Sequence, residues 1–147
     1  MSDKKTLFAA IDAQRDVLCS MADQIFDHPE YEGEEVFASG LLTDYLRAQG
    51  FEVEMGVGGF KTAFRATYKH GEGGPKLGIL CEYDALRNLG HGCGHHMQGP
   101  GCLGAAVALK NMDGAEPFEL IIYGTPAEES FGSKVQMLER GCFRELD

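Results

Sequence analysis

The hydrophobic pattern changes period between residues 51 and 123, and that change constrains the fold more than any other feature of the chain. Phe51, Val53, Met55 and Val57 alternate with Glu52, Glu54 and Gly56; beyond Gly58-Gly59, Phe60, Thr62, Phe64, Ala66 and Tyr68 alternate with Lys61, Arg65 and Lys69. A period of two with one polar face predicts two strands joined at the glycine pair, a β-hairpin. After Pro75 the alternation stops. Leu77-Gly78-Ile79-Leu80-Cys81 and Phe118-Glu119-Leu120-Ile121-Ile122-Tyr123 are apolar runs without a polar face, the pattern of strands buried on both sides. Between them, Gly101 to Met112 reads as a helix packed through Gly104, Ala105, Ala106, Val107 and Leu109. Such a strand, helix, strand unit is nearly always a right-handed crossover with parallel strands, which puts Cys81 and Tyr123 at one edge of the sheet. The predicted class is α/β, a mixed sheet with flanking helices and a β-hairpin.

The N-terminal third supplies the flanking helices. Leu7, Ile11, Leu18, Met21 and Ile25 recur at helical spacing, so one amphipathic helix is predicted from Thr6 to Asp27, ended by His28-Pro29. A second helix runs from Glu34 to Gln49 with Phe37, Leu41, Leu42, Tyr45 and Leu46 inward, and Gly50 stops it. A last helix is expected over Gly132 to Arg140. His28 and His70 fall in connecting segments and are read as bystanders.

With 147 residues, 44% of them hydrophobic, one domain with a real core is the default. A net charge of -10 argues against a phosphate-neutralising surface, so neither nucleic acid nor an anionic membrane is expected as a partner. No long apolar run or leader pattern is present, and the expectation is a cytoplasmic protein. The five cysteines, an odd number, fit reduced thiols.

Chemistry concentrates in two stretches that each follow a buried strand, where open α/β sheets bind ligands. The first carries Asp84 and then His91-Gly92-Cys93-Gly94-His95-His96, four candidate metal ligands in six residues; the second carries Glu128-Glu129. Three protein ligands and an open position suit a hydrolytic ion, which acidifies water and polarises a carbonyl. Cys93, His95 and one glutamate would supply the three, and the other glutamate would move the proton. A closed site from His91, Cys93, His95 and His96 competes with this reading, but adjacent His95 and His96 reach one ion together only with difficulty. Glu128-Glu129 taken alone reads better as a solvated helix start, and only together with the Cys93 loop at the same sheet edge does it read as part of a site. Asp84 either orients a ligating histidine or fills a turn, and Cys102 reads as packing.

Glu82-Tyr83-Asp84-Ala85-Leu86, His91-Gly92-Cys93-Gly94-His95 and Gly124-Thr125-Pro126-Ala127-Glu128-Glu129 together resemble the N-terminal motifs of M20-type metallopeptidases. Within them the likeness is to the amidohydrolase branch of aminobenzoyl-glutamate hydrolases, N-acyl-amino-acid hydrolases and M20 domain-containing protein 2. The resemblance implies the N-terminal part of a zinc-peptidase-like catalytic domain over residues 1–147. It implies Cys93, His95 and Glu129 as metal ligands, Glu128 as general base with Asp84 beside it in the catalytic set, and two divalent ions, zinc or manganese. The implied substrate is a small N-acyl or peptidyl amino acid cut at its amide. Arg87 stands where the family commonly has proline, and His96 where it has aspartate or asparagine.

Family members are much longer and carry a lid used for dimerisation and two further histidine ligands downstream. The chain is therefore expected to hold an incomplete site, with binding of metal weak and an uncovered sheet that favours homo-oligomers. The competing expectation is a non-catalytic metal-binding or interaction fragment that keeps the fold without turnover.

Overall fold

The computed structural model describes residues 4–112 and 114–147. Helices α1 (Lys4–Asp12), α2 (Arg15–Asp27) and α3 (Val36–Ala48) precede strand β1 (Glu52–Met55), a single 3-10 turn at Val57–Gly59, and strands β2 (Phe64–His70) and β3 (Lys76–Cys81). Helix α4 (His95–Lys110), strand β4 (Phe118–Gly124) and helix α5 (Ser133–Glu139) complete the order. The four strands form one mixed sheet in the order β1-β2-β4-β3. β1 and β2 are antiparallel, β2 and β4 are antiparallel, and β3 runs parallel to β4 with Cys81 opposite Gly124. The α/β class, the hairpin and the parallel crossover are thus all present.

The central strand β4 explains its own continuous apolar run. Leu120 and Ile122 face a large core shared with Met21 and Ile25 of α2, Leu42 and Leu46 of α3, and Leu103 and Val107 of α4. Ile121 and Tyr123 face the other side, where Ala63 and Met137 pack with Phe143 and Leu146. Each large apolar side chain buried this way contributes about 1.5–3 kcal/mol relative to exposure. At the end of β4 the chain needs glycine, because a Cβ on Gly124 would lie 2.2 Å from the Phe64 ring.

Several expectations are corrected. β3 is not buried on both sides: Leu77 is 45% and Leu80 39% exposed, because β3 is the edge strand and its far side has no strand partner among the described residues. The N-terminal helix is two helices, broken at Ala13-Gln14. The Gln14 amide there donates to Ala10 O at 2.9 Å, and its carbonyl accepts from Tyr45 Oη at 2.6 Å, so the break is tied to α3. Phe37 is not a core residue; it is exposed and stacks on His28 with ring centroids 4.4 Å apart. The first turn of α3 is capped from outside, the Glu30 carboxylate accepting from the N–H groups of Phe37 and Ala38 at 2.9 Å each. The hairpin is joined by a longer segment than Gly58-Gly59, since β2 begins at Phe64. His70 ends β2 and stacks on Phe118.

The correction that matters most for chemistry concerns α4. It begins at His95, six residues before the expected Gly101, and contains Pro100. Gly94, with φ at 90°, turns the chain into it. His95 therefore sits on a rigid helical turn, with α4 packed against α2 and the sheet.

Candidate metal centre

The two loops that follow β3 and β4 meet at the carboxyl edge of the sheet. Thr125 fastens them at the root, its N–H donating to Cys81 O at 2.8 Å and its hydroxyl to the same oxygen at 3.1 Å. Above that root, Asp84 links everything. One carboxylate oxygen lies 3.0 Å from His95 Nδ1, and the other accepts from the Glu129 N–H at 2.9 Å. One buried carboxylate thus orients the imidazole of the first loop and the backbone of the second. Burial works to raise the Asp84 pKa, but the hydrogen bonds from His95 and Glu129 outweigh it and hold the carboxyl below its ordinary value.

The Asp84 bond also fixes which nitrogen His95 offers. With Nδ1–H committed to Asp84, Nε2 faces the loop mouth. Hydrogen bonding to Asp84 raises the His95 pKa against the opposing effect of burial, and Glu82 adds to the rise from the Nε2 side, with Oε2 at 2.8 Å. Glu129 Oε1 lies 3.7 Å from Nε2. The ligand atoms of Cys93, His95 and Glu129 all fall within 4.8 Å of one another. Thiol, imidazole and carboxylate at that spacing match the donor set of a zinc-like ion, and the residues fit such an ion. Burial, followed by the nearby Glu129 carboxylate, pushes the Cys93 thiol up. A bound cation would reverse that direction by stabilising the thiolate.

Glu128 is not one of the trio; its Oε2 lies 2.8 Å from Lys134 Nζ. The turn that separates Glu128 from Glu129 is built on Ala127, whose φ of 56° is unusual for a residue with a side chain. Glu35 holds it there. This fully buried carboxylate accepts from Ala127 N–H at 3.1 Å, Gly33 N–H at 2.7 Å and Thr62 Oγ1 at 3.0 Å. Burial raises the Glu35 pKa, with the hydrogen bonds from Gly33 and Thr62 opposing it.

The remaining histidines are elsewhere. His96 turns to the far side of α4 and meets Phe26 edge-on at 5.0 Å, with His91 5.3 Å away. Both nitrogens of buried His91, and Nδ1 of His96, have no hydrogen-bond partner among the described residues. His91, His95 and His96 are thus not brought to one point. Arg87 lies outside the trio, bidentate to Glu32 at 2.7 and 2.6 Å, and borders a cavity of about 290 Å³ that also touches Tyr31, Asp84, Glu129 and Ser130. Cys102 makes its polar contact with Leu80 O at 3.6 Å and takes no part in the trio.

No family model matches the chain. It is 35% identical to one of the subunits of the p-aminobenzoyl-glutamate hydrolase of Escherichia coli, over 94% of its own length and 32% of that protein. It is also 35% identical to the Xaa-Arg dipeptidase of Mus musculus, over 98% of its length and 36% of that protein. The Bacillus subtilis YxeP protein, described as a dinuclear metal-binding peptidase from the M20 family, superposes with a TM-score of 0.76 at 22% identity, over 99% of this chain and 42% of that one. The chain thus shares the fold of the corresponding part of that M20 peptidase. It spans about a third of the length of these curated relatives.

Sequence reading left out three residues that surround this trio. Glu35 was hidden because its role depends on a contact with Ala127, far along the chain. Lys134 gave no signal beyond its nearness to Glu129. Glu82 was visible in the Glu82-Tyr83-Asp84 motif, and the period of two in an extended segment puts it on the same side as Asp84.

Proposed function

We propose that this chain is the N-terminal part of an M20-type catalytic domain and supplies one half of a site that hydrolyses the amide of a small N-acyl or peptidyl amino acid. The convergence of Cys93, His95 and Glu129 within 4.8 Å, with His95 Nε2 turned outward by Asp84, carries this reading. A divalent ion, zinc or manganese, would polarise the amide carbonyl and acidify water when bound there. Cys93, His95 and Glu129 would hold it. Glu128, beside them but outside the ligand set, is assigned the proton transfer from water to the leaving nitrogen. Asp84 is buried behind His95 and is assigned an orienting role, keeping the imidazole and the Glu129 backbone in register. The names of the relatives, one a p-aminobenzoyl-glutamate hydrolase and one an Xaa-Arg dipeptidase, support the substrate class. A cytoplasmic setting belongs to the same reading and is supported by five cysteines that are all free thiols. No helix among the described residues is long and apolar enough to cross a membrane.

The test is a pair of measurements on the purified chain and on its Glu128→Gln and Glu129→Ala variants. Metal content after zinc or manganese loading should fall in Glu129→Ala and persist in Glu128→Gln. Hydrolysis of a panel of acyl-amino acids and dipeptides should be lost in Glu128→Gln. A firmly held ion that survives Glu129→Ala overturns the ligand assignment. Metal held by the unaltered chain without turnover of any panel member favours a binding fragment.

A further inference from the structure

Lys134, in the first turn of α5, contacts both Glu82 and Glu128. Its ammonium pairs with Glu82 Oε1 and lies 2.8 Å from Glu128 Oε2, while the other Glu82 oxygen lies 2.8 Å from His95 Nε2. A continuous row runs from His95 through Glu82 and Lys134 to Glu128 across the mouth of the site. The members are only partly open to water, with side-chain exposures of 15% for Glu82, 26% for Lys134 and 36% for Glu128. Among the described residues, Lys134 is the one lysine or arginine ion-paired with any of Glu82, Asp84, Glu128 and Glu129.

We propose that Lys134 is a built-in counter-ion that competes with the divalent ion for the carboxylates around His95 and keeps Glu128 out of the ligand set. The inference rests on the metal reading given above and adds a determinant of affinity to it. A divalent ion arriving at His95 Nε2 must displace the Glu82 contact that Lys134 holds in place. It must also sit near a fixed positive charge, in surroundings where screening is weaker than in bulk water. Lys134 thereby weakens ion binding and separates two roles that adjacent glutamates would otherwise share. Without the ammonium, Glu82 and Glu128 are both free to turn toward the ion, and the local charge becomes more negative by one.

A residue that merely braces the fold would, on removal, weaken ion binding or leave it unchanged. Removal of Lys134 has the opposite sign. Cobalt(II) is a suitable probe, because a cobalt–thiolate bond absorbs in the near ultraviolet and reports on Cys93 directly. The experiment titrates cobalt(II) chloride into the full chain and its Lys134→Met, Lys134→Gln, Lys134→Arg and Cys93→Ser variants, with thermal melts recorded for each. The unaltered chain should show a thiolate band that Cys93→Ser removes. Lys134→Met and Lys134→Gln should lower the cobalt Kd by about tenfold, and Lys134→Arg should stay within about twofold of the unaltered chain. Unchanged or weaker binding in both neutral variants, with melts intact, overturns the counter-ion role while leaving the metal reading in place. A band that is absent, or that survives Cys93→Ser, overturns the metal reading and this inference with it.

Discussion

His95 and His96 are adjacent on α4 and have opposite surroundings. His95 faces the meeting of the two loops, with Nδ1 bonded to Asp84 and Nε2 beside Glu82 and Glu129. His96 faces Phe26 and His91, and its Nδ1 is buried without a partner among the described residues. Successive helical positions diverge by about 100°, so one residue joins a polar network and the next enters an apolar contact. Ligating capacity alone does not make a histidine a ligand. What distinguishes them is whether a second group fixes the ring and leaves the other nitrogen open.

The strongest way to break this contrast is to remove the group that fixes His95. Asp84→Ala leaves an imidazole and the Glu129 N–H without their shared buried acceptor. Breaking a buried charged pair in this way costs about 3–5 kcal/mol, so urea unfolding should show a loss of at least half that size, and cobalt binding should disappear. A variant with near-normal stability would mean that the Asp84 network is dispensable and that the His95 orientation has another cause.

Glu35 provides a smaller effect, one step further from the site. Glu35→Ala strands three donors, those of Gly33, Thr62 and Ala127, at a predicted cost of about 2 kcal/mol. The positive φ of Ala127 should relax, and the two glutamates should lose their separate directions. Cobalt affinity should therefore fall while the Cys93 thiolate band, where binding is forced by excess metal, keeps its shape. Unchanged affinity would show that the turn holds itself.

The pH dependence tests the polar side of the contrast in the chain freed of metal with a chelator. Asp84 is held below its ordinary pKa, so its contribution is present above the unfolded value of about 3.9 and fades as pH falls through the lower folded value. His95 is raised, so its contribution is complete below the unfolded value of about 6.5 and is lost as pH rises through the higher folded value. The urea midpoint should fall as pH rises from the unfolded His95 value of about 6.5 through the higher folded value. Glu35 is raised as well and acts in the same direction, so the decisive quantity is the difference between the unaltered chain and His95→Gln. A decline of equal size in both would remove His95 from the account.

These tests follow a division between what residue patterns encode and what only the assembled fold supplies. The hairpin, the parallel crossover and the convergence of the Cys93 and Glu129 loops were legible because each depends on local periodicity or on the handedness of one connection. The exposure of Leu77 and Leu80 was not, since an apolar run looks the same in a central strand and at an edge. The start of α4 was masked by Gly94, Gly99 and Pro100, residues that lower helix propensity yet here permit a turn into the helix and close packing beneath it. Gly99 shows the reason: an added Cβ would come within 3.0 Å of the Leu42 side chain. Glu35 and Lys134 join the site through contacts 92 and 52 residues away in the chain, distances over which no spacing rule operates.

His96 gives the smallest effect and the clearest discrimination between its own side of α4 and the other. Its imidazole contributes an edge-on contact with Phe26 and carries a buried nitrogen without a hydrogen-bond partner among the described residues. Replacing it with leucine removes an unsatisfied polar atom and keeps apolar contact, which should stabilise the chain by about 0.5–1 kcal/mol. Cobalt affinity and the Cys93 thiolate band should not move, because His95 keeps both of its carboxylate neighbours. A closed four-ligand site made from His91, Cys93, His95 and His96 requires the reverse, a collapse of cobalt binding with His96→Leu. The two outcomes differ in sign for stability and in presence for the band, so one variant separates a helix with a single ligating face from a loop that wraps an ion on all sides.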